Sequence, residues 1–265
     1  REDLHPYGSH KGRSIPIMLD RKIQTGIRNF VVSSSGNAAL AAALYVKKYN
    51  KKNKKQPLTL QILVGEKIPN EKLKSLKKLT DKNITLQQVP NPRQTAFQLA
   101  QKNIHWLRQS TDNTALIGYE TLAKELAKIK NLGAIFIPTS SGTTAVGLYQ
   151  GFKKLKLKPQ IHITQTTACH PFVKTDKPNT KKSLASAIVD IIGHRKNEIE
   201  KILKASKGAG WVADDDEITA AIKLLKQNTK LKISPNSALT LVGLQQAIQK
   251  NKKIKGAIIL LITGK

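Results

Sequence analysis

The sequence predicts an α/β fold with mainly parallel sheets, and three observations support this prediction. The chain has 265 residues, which is enough to bury one large core or two modest ones. Apolar runs of strand length alternate with amphipathic stretches of helix length along the whole chain. The sequence contains no internal repeat and no long low-complexity segment. A two-lobed α/β enzyme is therefore compatible with this length and pattern.

The predicted strands are short apolar runs, and the predicted helices carry apolar residues at helical spacing. Strands are expected at residues 30–32, 58–64, 84–89, 134–138, 160–164 and 257–263. Helices are expected at residues 38–49, 71–79, 93–101, 119–129, 144–154, 215–227 and 238–250. A composition break at Asp112 and Asn113, within the polar run 109–114, predicts a boundary between two lobes.

The net charge of +29 suggests nucleic-acid binding, because clustered Lys and Arg neutralise phosphates. However, 39 of the 46 basic residues are Lys, whereas surfaces that recognise nucleic acids favour Arg for its bidentate geometry. We therefore interpret the charge as solvated surface and predict no nucleic-acid partner. The basic surface would still attract anionic ligands.

The cysteine and histidine pattern gives expectations about compartment and metals. Cys169 is the single cysteine, so it forms no internal disulfide, which favours a reducing cytoplasm. His162, His170 and His194 lack the mutual spacing of metal ligands, so no metal is predicted. No stretch reaches the roughly 18 uncharged apolar residues of a membrane helix, and no membrane partner is predicted.

Two strand-to-helix junctions combine small hydroxyl residues with Gly. The first is SSSGNA at residues 33–38, and the second is PTSSGTTAVG at residues 138–147. At such a junction, backbone N–H groups and hydroxyls cluster at a helix N-terminus, where anions bind. Neither junction matches a P-loop or a Rossmann fingerprint. An ordinary turn with Ser or Thr as helix cap remains the alternative for each.

The N-terminal segment REDLHPYGSHKGR resembles a motif of fold-type II enzymes that depend on pyridoxal 5'-phosphate (PLP). That motif reads approximately "E-x-x-N-P-T-G-S-(F or H)-K-D-R", and its lysine carries the cofactor as a Schiff base. The resemblance implies that Lys11 is this lysine. Without it, Lys11 would be one solvated lysine among 39.

The resemblance continues in order along the chain. SSSGNA is similar to the asparagine loop, which implies that Asn37 bonds the cofactor ring oxygen and that the substrate carboxylate is bound by Ser34, Ser35 and Ala38. PTSSGTTAVG resembles the phosphate loop, which implies cofactor binding by Ser140, Ser141, Gly142, Thr143 and Thr144. The closing LLITG resembles the last core strand, whose hydroxyl faces the pyridine nitrogen, here that of Thr263. SLASAI, GWVADDDEI and SPNSALTLVGL resemble further motifs of these enzymes.

These motifs together resemble the tryptophan synthase β-like superfamily, and within it the chain is most similar to threonine synthase. IGYETLAKEL is similar to a threonine synthase segment, keeping Gly118, Thr121 and Glu125 but not its first Glu or its Lys. The resemblance implies two lobes with parallel sheets flanked by helices. A smaller domain, 14–113, would hold the asparagine loop, and residues 1–13 with 114–265 would form the larger PLP-binding domain.

The implied activity is a PLP-dependent carbon–oxygen lyase that converts O-phosphohomoserine to threonine, with an amino-acid substrate and a role in amino-acid biosynthesis. Three alternatives stay open: a serine or threonine dehydratase, a β-replacing synthase such as cysteine synthase, and an inactive fragment or basic binding protein. A homodimer is also open.

Three departures from the family pattern bear on these expectations. Ser140 and Thr143 replace Gly in the phosphate loop, which would weaken cofactor binding if the backbone there needs Gly. Gly12 replaces the Asp that usually follows the lysine. The chain opens inside the first motif, so the usual N-terminal strand and helix are expected to be missing, and an unstable or inactive fragment is an open outcome.

Overall fold

The computed structural model describes residues 1–264 and divides into two compact units. The smaller unit is His5–Ala115, and the larger unit combines Arg1–Leu4 with the chain from Leu116 onward. The predicted boundary at residues 112–113 is close to the division between Ala115 and Leu116. The predicted boundary between residues 13 and 14 falls inside a helix, and residues 5–13 pack with the smaller unit. Their assignment to a cofactor-binding domain stays a prediction.

The smaller unit is a four-stranded parallel sheet with helices. Its strands are β1 (Asn29–Ser33), β2 (Thr59–Gly65), β3 (Ile84–Val89) and β4 (His105–Trp106), in the spatial order β3-β2-β1-β4. Its helices are α1 (Lys11–Gln24), α2 (Asn37–Lys52), α3 (Asn70–Lys77) and α4 (Pro92–Ala100). Helix α5 (Thr114–Leu126) begins in this unit and continues into the larger one.

The larger unit has a second parallel sheet in the order β7-β6-β5-β8. Its strands are β5 (Leu132–Pro138), β6 (Gln160–Thr166), β7 (Gly210–Ala213) and β8 (Ala257–Leu260). Its helices, besides α5, are α6 (Thr143–Lys154), α7 (Lys196–Ser206), α8 (Asp215–Thr229) and α9 (Pro235–Gln249). A short 3-10 helix, Glu2–Leu4, lies at the start of the chain.

The strands form because continuous apolar runs are buried on both faces of each sheet. Phe30, Val31 and Val32 are buried in β1, and residues 134–137 are buried in β5. The helices bury one face each, as Ile15, Met18 and Leu19 do in α1 at i, i+3, i+4 spacing. The α/β prediction with parallel sheets is confirmed.

Two local features differ from the predictions. No strand was predicted at residues 105–106, which form β4 because they continue the sheet beside Phe30 and Val31. Strand β8 ends at Leu260, so residues 261–263 leave the strand before the predicted end. Among residues 1–264, no helix combines the length and apolar character that spanning a bilayer requires.

Candidate active site

Lys11 is the first residue of α1 in the smaller unit. A turn precedes it, in which the Gly8 amide donates to the His5 carbonyl at 2.7 Å and Gly8 has φ +77°. The Lys11 amide donates to Oγ of the buried Ser9 at 3.3 Å. Within residues 1–264, Nζ of Lys11 makes no hydrogen bond or ion pair. The amine is therefore available to a ligand.

Gly12 explains one departure from the family motif. A Cβ at Gly12 would lie 2.3 Å from a ring nitrogen of His5 and 2.7 Å from Cβ of Tyr7. An Asp side chain does not fit this position unless the neighbouring turn moves. The close packing around the start of α1 is therefore compatible with Gly12 but not with the Asp of the motif.

The asparagine loop lies between β1 and α2 in the same unit. Oγ of Ser34 accepts the Gly36 amide at 3.2 Å, and Gly36 is the N-cap of α2. Asn37 and Ala38 are the first two residues of α2, where backbone N–H groups lack partners within the helix. The side chains of Ser35 and Asn37 make no hydrogen bond with the described part of the chain. This loop can bind an anion or an oxygen atom.

The phosphate loop lies between β5 and α6 in the larger unit. Gly142, the N-cap of α6, has φ +80° and ψ −10°, a left-handed conformation that favours Gly. Ser140 and Thr143 do not have positive φ, so the family's glycines are not needed there for backbone conformation. The hydroxyls of Ser141 and Thr143 bond each other at 2.9 Å. The loop ends at the N-terminus of a helix of 12 residues, a suitable place for a phosphate.

Ser140 has a structural contact that the sequence did not predict. Its Oγ accepts the backbone amides of Val189 and Asp190 at 3.0 and 3.2 Å. The segment 183–195 that contains these residues is irregular and is also held by Oδ1 of Asn236, which accepts the Ala187 amide at 2.9 Å. The only signal for this segment in the sequence was the SLASAI match. Through these hydrogen bonds, the segment 183–195 connects the phosphate loop to the start of α9.

Thr263 lies after β8, is 5% exposed and packs beside the start of α9. Its amide donates to Oγ of Ser237 at 3.2 Å. The hydroxyls of Ser234 and Ser237 donate to the carbonyl of Gly264 at 2.9 and 3.1 Å. Ser234 and Ser237 of the SPNSALTLVGL motif therefore hold the segment that follows β8.

The predicted site residues are distributed over both units. Lys11 and the asparagine-loop residues lie in the smaller unit, whereas the phosphate loop and Thr263 lie in the larger unit. Each group fits the part of PLP that the family assigns to it: an available amine, an uncommitted amide side chain, a left-handed Gly at a helix N-terminus and a buried hydroxyl. The side chain of Arg195, 3% exposed, packs beside Gly142, and its Nη1 forms an ion pair with Oε1 of Glu198 at 3.2 Å.

Three further observations concern residues outside the two loops. Asp190 is 6% exposed, and its Oδ1 has no hydrogen-bond partner within the described residues, so a buried carboxyl group lies near Ser140. No cluster of His, Cys, Asp and Glu suitable for a metal ion occurs in residues 1–264. Trp211 is buried in the core of the larger unit.

Comparison with known proteins identifies the family. A threonine synthase from Methanocaldococcus jannaschii is 24% identical over 270 residues, covering 94% of this chain and 64% of that protein. An L-serine dehydratase/L-threonine deaminase from Mus musculus is 25% identical over 263 residues, covering 93% and 76%. The chain spans less than two thirds of the length of that threonine synthase.

A solved structure has the same fold, and a family model spans the described chain. The processed form of threonine deaminase isoform 2 from Solanum lycopersicum matches with a TM-score of 0.80 and 19% identity, covering 100% of this chain and 73% of that one. The model of the family "Pyridoxal-phosphate dependent enzyme" matches residues 1–264. The cofactor is therefore pyridoxal 5'-phosphate, and the chain belongs to the family of pyridoxal-phosphate dependent enzymes.

Proposed function

We propose that this protein is a carbon–oxygen lyase acting on an amino acid, and specifically that it converts O-phosphohomoserine and water to threonine and phosphate. The observation that carries the proposal is the asparagine loop. Ser35 and Asn37 present side chains without protein partners in the described chain at the N-terminus of the 16-residue helix α2. Such a loop suits a substrate carboxylate, because the amides and the helix dipole both favour an anion.

Lys11 is the proposed catalytic base. Its Nζ has no partner in residues 1–264, so it can accept the proton from the substrate Cα and return it later. When bound, PLP supplies the electron sink at that carbon. In this proposal Asn37 orients the cofactor ring, Ser34, Ser35 and Ala38 bind the carboxylate, and residues 140–144 bind the phosphate group. Thr263 would place a neutral hydroxyl at the pyridine nitrogen, which suits elimination and replacement.

The phosphorylated substrate is supported by charge and by likeness. A net charge of +29 attracts a substrate phosphate, and charge-assisted hydrogen bonds are roughly twice as strong as neutral ones. SSSGNA, GYET and the terminal TG resemble threonine synthases, and relatives of that name cover most of this chain. At 24% identity the reaction itself remains our proposal.

A dehydratase acting on serine or threonine is the second candidate. It is favoured by the departure at residues 117–125, which lacks the first Glu and the Lys of the threonine synthase segment. The relative from Mus musculus that carries both dehydratase and deaminase names is 25% identical. The same Lys11 base would serve this reaction.

The test is a comparison of products. Purified protein loaded with PLP should release phosphate and threonine from O-phosphohomoserine faster than it forms a keto acid from serine or threonine. Lys11→Ala should abolish turnover, and Asn37→Ala should slow it while leaving Lys11 in place. Faster keto-acid formation would assign the protein to the dehydratases instead.

Cofactor attachment gives a separate readout. Borohydride should fix the cofactor onto Lys11, and peptide mapping should locate the label there. A label on another lysine would contradict the assignment, and a chain that gains no visible absorbance with PLP would support the inactive fragment or basic binding protein. A cytoplasmic location and a homodimer, with no nucleic-acid partner, remain further proposals.

A further inference from the structure

The larger unit contains a pocket of about 770 Å³. Its walls are the irregular segment 170–176, which comes shortly after β6, and the start of α7, which contributes Lys196 and Glu200. None of the lining residues belongs to the asparagine loop or to the phosphate loop. The volume lies within the range of small-molecule sites, about 300–1,000 Å³. The pocket is therefore large enough for a ligand other than the cofactor and the substrate.

Contacts within the larger unit fix the backbone of this pocket. Phe172 is 7% exposed, and its ring lies so close to Gly193 that a Cβ there would be 3.1 Å from the ring. The ring nitrogens of His170 lie 3.0 Å from the carbonyl oxygen of Val173 and 2.7 Å from the side-chain oxygen of Asn179. The pocket therefore has an apolar floor and a wall that protein contacts hold in place.

Four charged side chains line the pocket: Lys174, Asp176, Lys196 and Glu200. Within residues 1–264, none of these side chains makes a hydrogen bond or an ion pair. Lys196 and Glu200 are four residues apart on α7, a spacing at which such pairs can form. By contrast, Lys177, directly after the segment, pairs with two carboxylates at 3.1 and 2.5 Å. The charged groups of the pocket are therefore available to a ligand.

The signs of these charges indicate the kind of ligand. The pocket has as many acidic as basic side chains, although the whole chain has 46 basic and 17 acidic residues. A site for a phosphate or another simple anion would be lined by cations and N–H donors alone. Two ammonium groups and two carboxylates instead match a zwitterion, which carries one charge of each sign. A free α-amino acid is such a molecule, and an apolar floor suits its side chain.

A buried glutamine connects the floor of the pocket to the phosphate loop. The Phe172 amide donates to Oε1 of Gln165 at 3.0 Å. Nε2 of Gln165 donates to the carbonyl oxygen of Thr139 at 3.3 Å. Thr139 directly precedes Ser140, and Gln165 is fully buried. A shift of the pocket floor would therefore be felt at the backbone where the phosphate loop begins.

We propose that this pocket is a second site for a free α-amino acid, and that its occupancy is transmitted to the phosphate loop through Gln165. The two lysines would bind the carboxylate of the ligand, and the two acidic residues would bind its ammonium group. This inference goes beyond the proposed function and does not depend on which reaction the protein catalyses.

The first experiment locates and measures binding. L-threonine is titrated into PLP-loaded protein, and the backbone amide chemical shifts of residues 170–176 and 196–200 are followed by NMR. These shifts should saturate in the unchanged protein. The double variant Lys174→Gln/Lys196→Gln should bind roughly fivefold more weakly or worse, because it loses two charge pairs that are each modest at exposed positions. Absent shifts, or an unchanged affinity in the double variant, would overturn the inference.

Two protein controls accompany this titration. Lys201→Gln/Lys204→Gln removes two exposed charges from the same helix, outside the pocket, and should keep the affinity of the unchanged protein. Equal losses in the two double variants would indicate a general charge effect and would contradict a built site. Lys11→Ala, which lacks the proposed base, should also keep the affinity, which shows that turnover of the probe does not affect the result.

Two analogues of the probe test the recognition of a zwitterion. 3-Hydroxybutanoate lacks the amino group of threonine, and 1-amino-2-propanol lacks its carboxylate. Each should shift the amides of residues 170–176 and 196–200 only at higher concentrations than L-threonine does. If either analogue bound as tightly as L-threonine, the pocket would recognise a single charge, and the assignment to an amino acid would be wrong.

The second experiment tests the connection to the phosphate loop. Saturating L-threonine should change the affinity of the unchanged protein for PLP by about fivefold or more, the lower end of typical couplings between sites. The effect should disappear in Lys174→Gln/Lys196→Gln, which keeps both loops. Gln165→Met should still bind L-threonine but lose the effect on PLP. An unchanged PLP affinity in the unchanged protein, or an equal change in the double variant, would overturn the connection.

Discussion

The two strand-to-helix junctions resemble each other in sequence but differ in what their side chains contact. In the asparagine loop, Asn37 has no side-chain partner within the described residues, and a Cβ on Gly36 would meet no atom within 4 Å. In the phosphate loop, Ser140 holds the 183–195 segment and Gly142 packs against the side chain of Ile199. The side chain of Asn37 is thus without a partner among the described residues, whereas Ser140 and Gly142 of the phosphate loop contact other parts of the larger unit.

The strands that lead into these loops show the same contrast. Each carries a Phe paired in register with a His, Phe30 with His105 and Phe136 with His162. His162 is fully buried and stacks on Phe136, with ring centroids 4.4 Å apart. Its Nδ1 accepts from Nε1 of Trp211 at 3.2 Å, so Nε2 carries the proton and donates to Gln160 at 3.0 Å.

The ring of His105 has fewer hydrogen-bond partners among the described residues than the ring of His162. Its ring meets Phe30 edge to face at 6.1 Å, and its buried Nε2 has no hydrogen-bond partner in the part of the chain that the structure describes. Burial lowers the pKa of both imidazoles from the usual value, and that of His162 falls to about 4. Both ring nitrogens of His162 therefore have partners, whereas Nε2 of His105 has none among the described residues.

The largest expected effect is acid destabilisation of the larger unit. The unfolded imidazole of His162 has a pKa near 6.5, whereas the folded one has a pKa of about 4. The contribution of neutral His162 to the free energy of unfolding is therefore fully present above pH 6.5 and is lost as pH falls towards 4. The loss is on the order of 3 kcal/mol. His162→Phe should remove this pH dependence from the free energy of unfolding.

Urea unfolding at a series of pH values measures that effect. The slope of the free energy of unfolding against pH is compared between the variants and the unchanged protein. A general loss of stability in His162→Phe therefore does not obscure the result. His194→Gln, which changes an exposed histidine, should keep the slope. If His105→Phe removed the slope and His162→Phe kept it, the contrast between the two junctions would be reversed.

A matched pair of glycine variants tests the loops themselves. Gly142→Ala should lower the free energy of unfolding by about 1–2 kcal/mol more than Gly36→Ala, because only Gly142 has a left-handed φ. In addition, a Cβ at Gly142 would lie 3.0 Å from the side chain of Ile199. Both glycines are helix N-caps, so the N-cap preference cancels in the difference. Urea unfolding gives the two values, and equal losses would show that the phosphate loop is no more constrained than the asparagine loop.

The sequence predicted the alternation of strands and helices well because buried strands here are continuous apolar runs. It missed α1 although Ile15, Met18 and Leu19 have helical spacing, because Gly12 and Pro16 interrupt the pattern. It missed α7, which buries Ile199 and Ile202. Strand β4 has only two residues, so periodicity alone does not reveal it.

The positions of the two loops in the fold were predicted, but the contacts of their side chains were not, and the assignment of the site stays a prediction. The sequence placed both loops at strand-to-helix junctions, as the structure does, and Gly142 has a left-handed conformation at the second one. No local pattern indicates that Ser140 accepts amides from residues 49 and 50 positions later, or that Trp106 bonds Ser33. Such contacts depend on the tertiary fold, which single motifs do not specify.

The smallest expected effect compares two serines, one in each loop. Ser140→Ala removes the acceptor of the Val189 and Asp190 amides, whereas Ser34→Ala removes the acceptor of one amide within its own loop. A typical hydrogen bond contributes about 0.5–1.5 kcal/mol net, and water can reach Val189, which is 55% exposed. We expect Ser140→Ala to lower the free energy of unfolding by about 1 kcal/mol and Ser34→Ala to lower it clearly less.

Hydrogen exchange provides a second measurement. The backbone amides of residues 189 and 190 should exchange faster only in Ser140→Ala. In Ser140→Thr, which keeps the hydroxyl, they should exchange slowly. Equal exchange in all three variants would mean that Ser140 does not hold this segment, and its hydroxyl would then be available to the cofactor phosphate, as the family pattern implies.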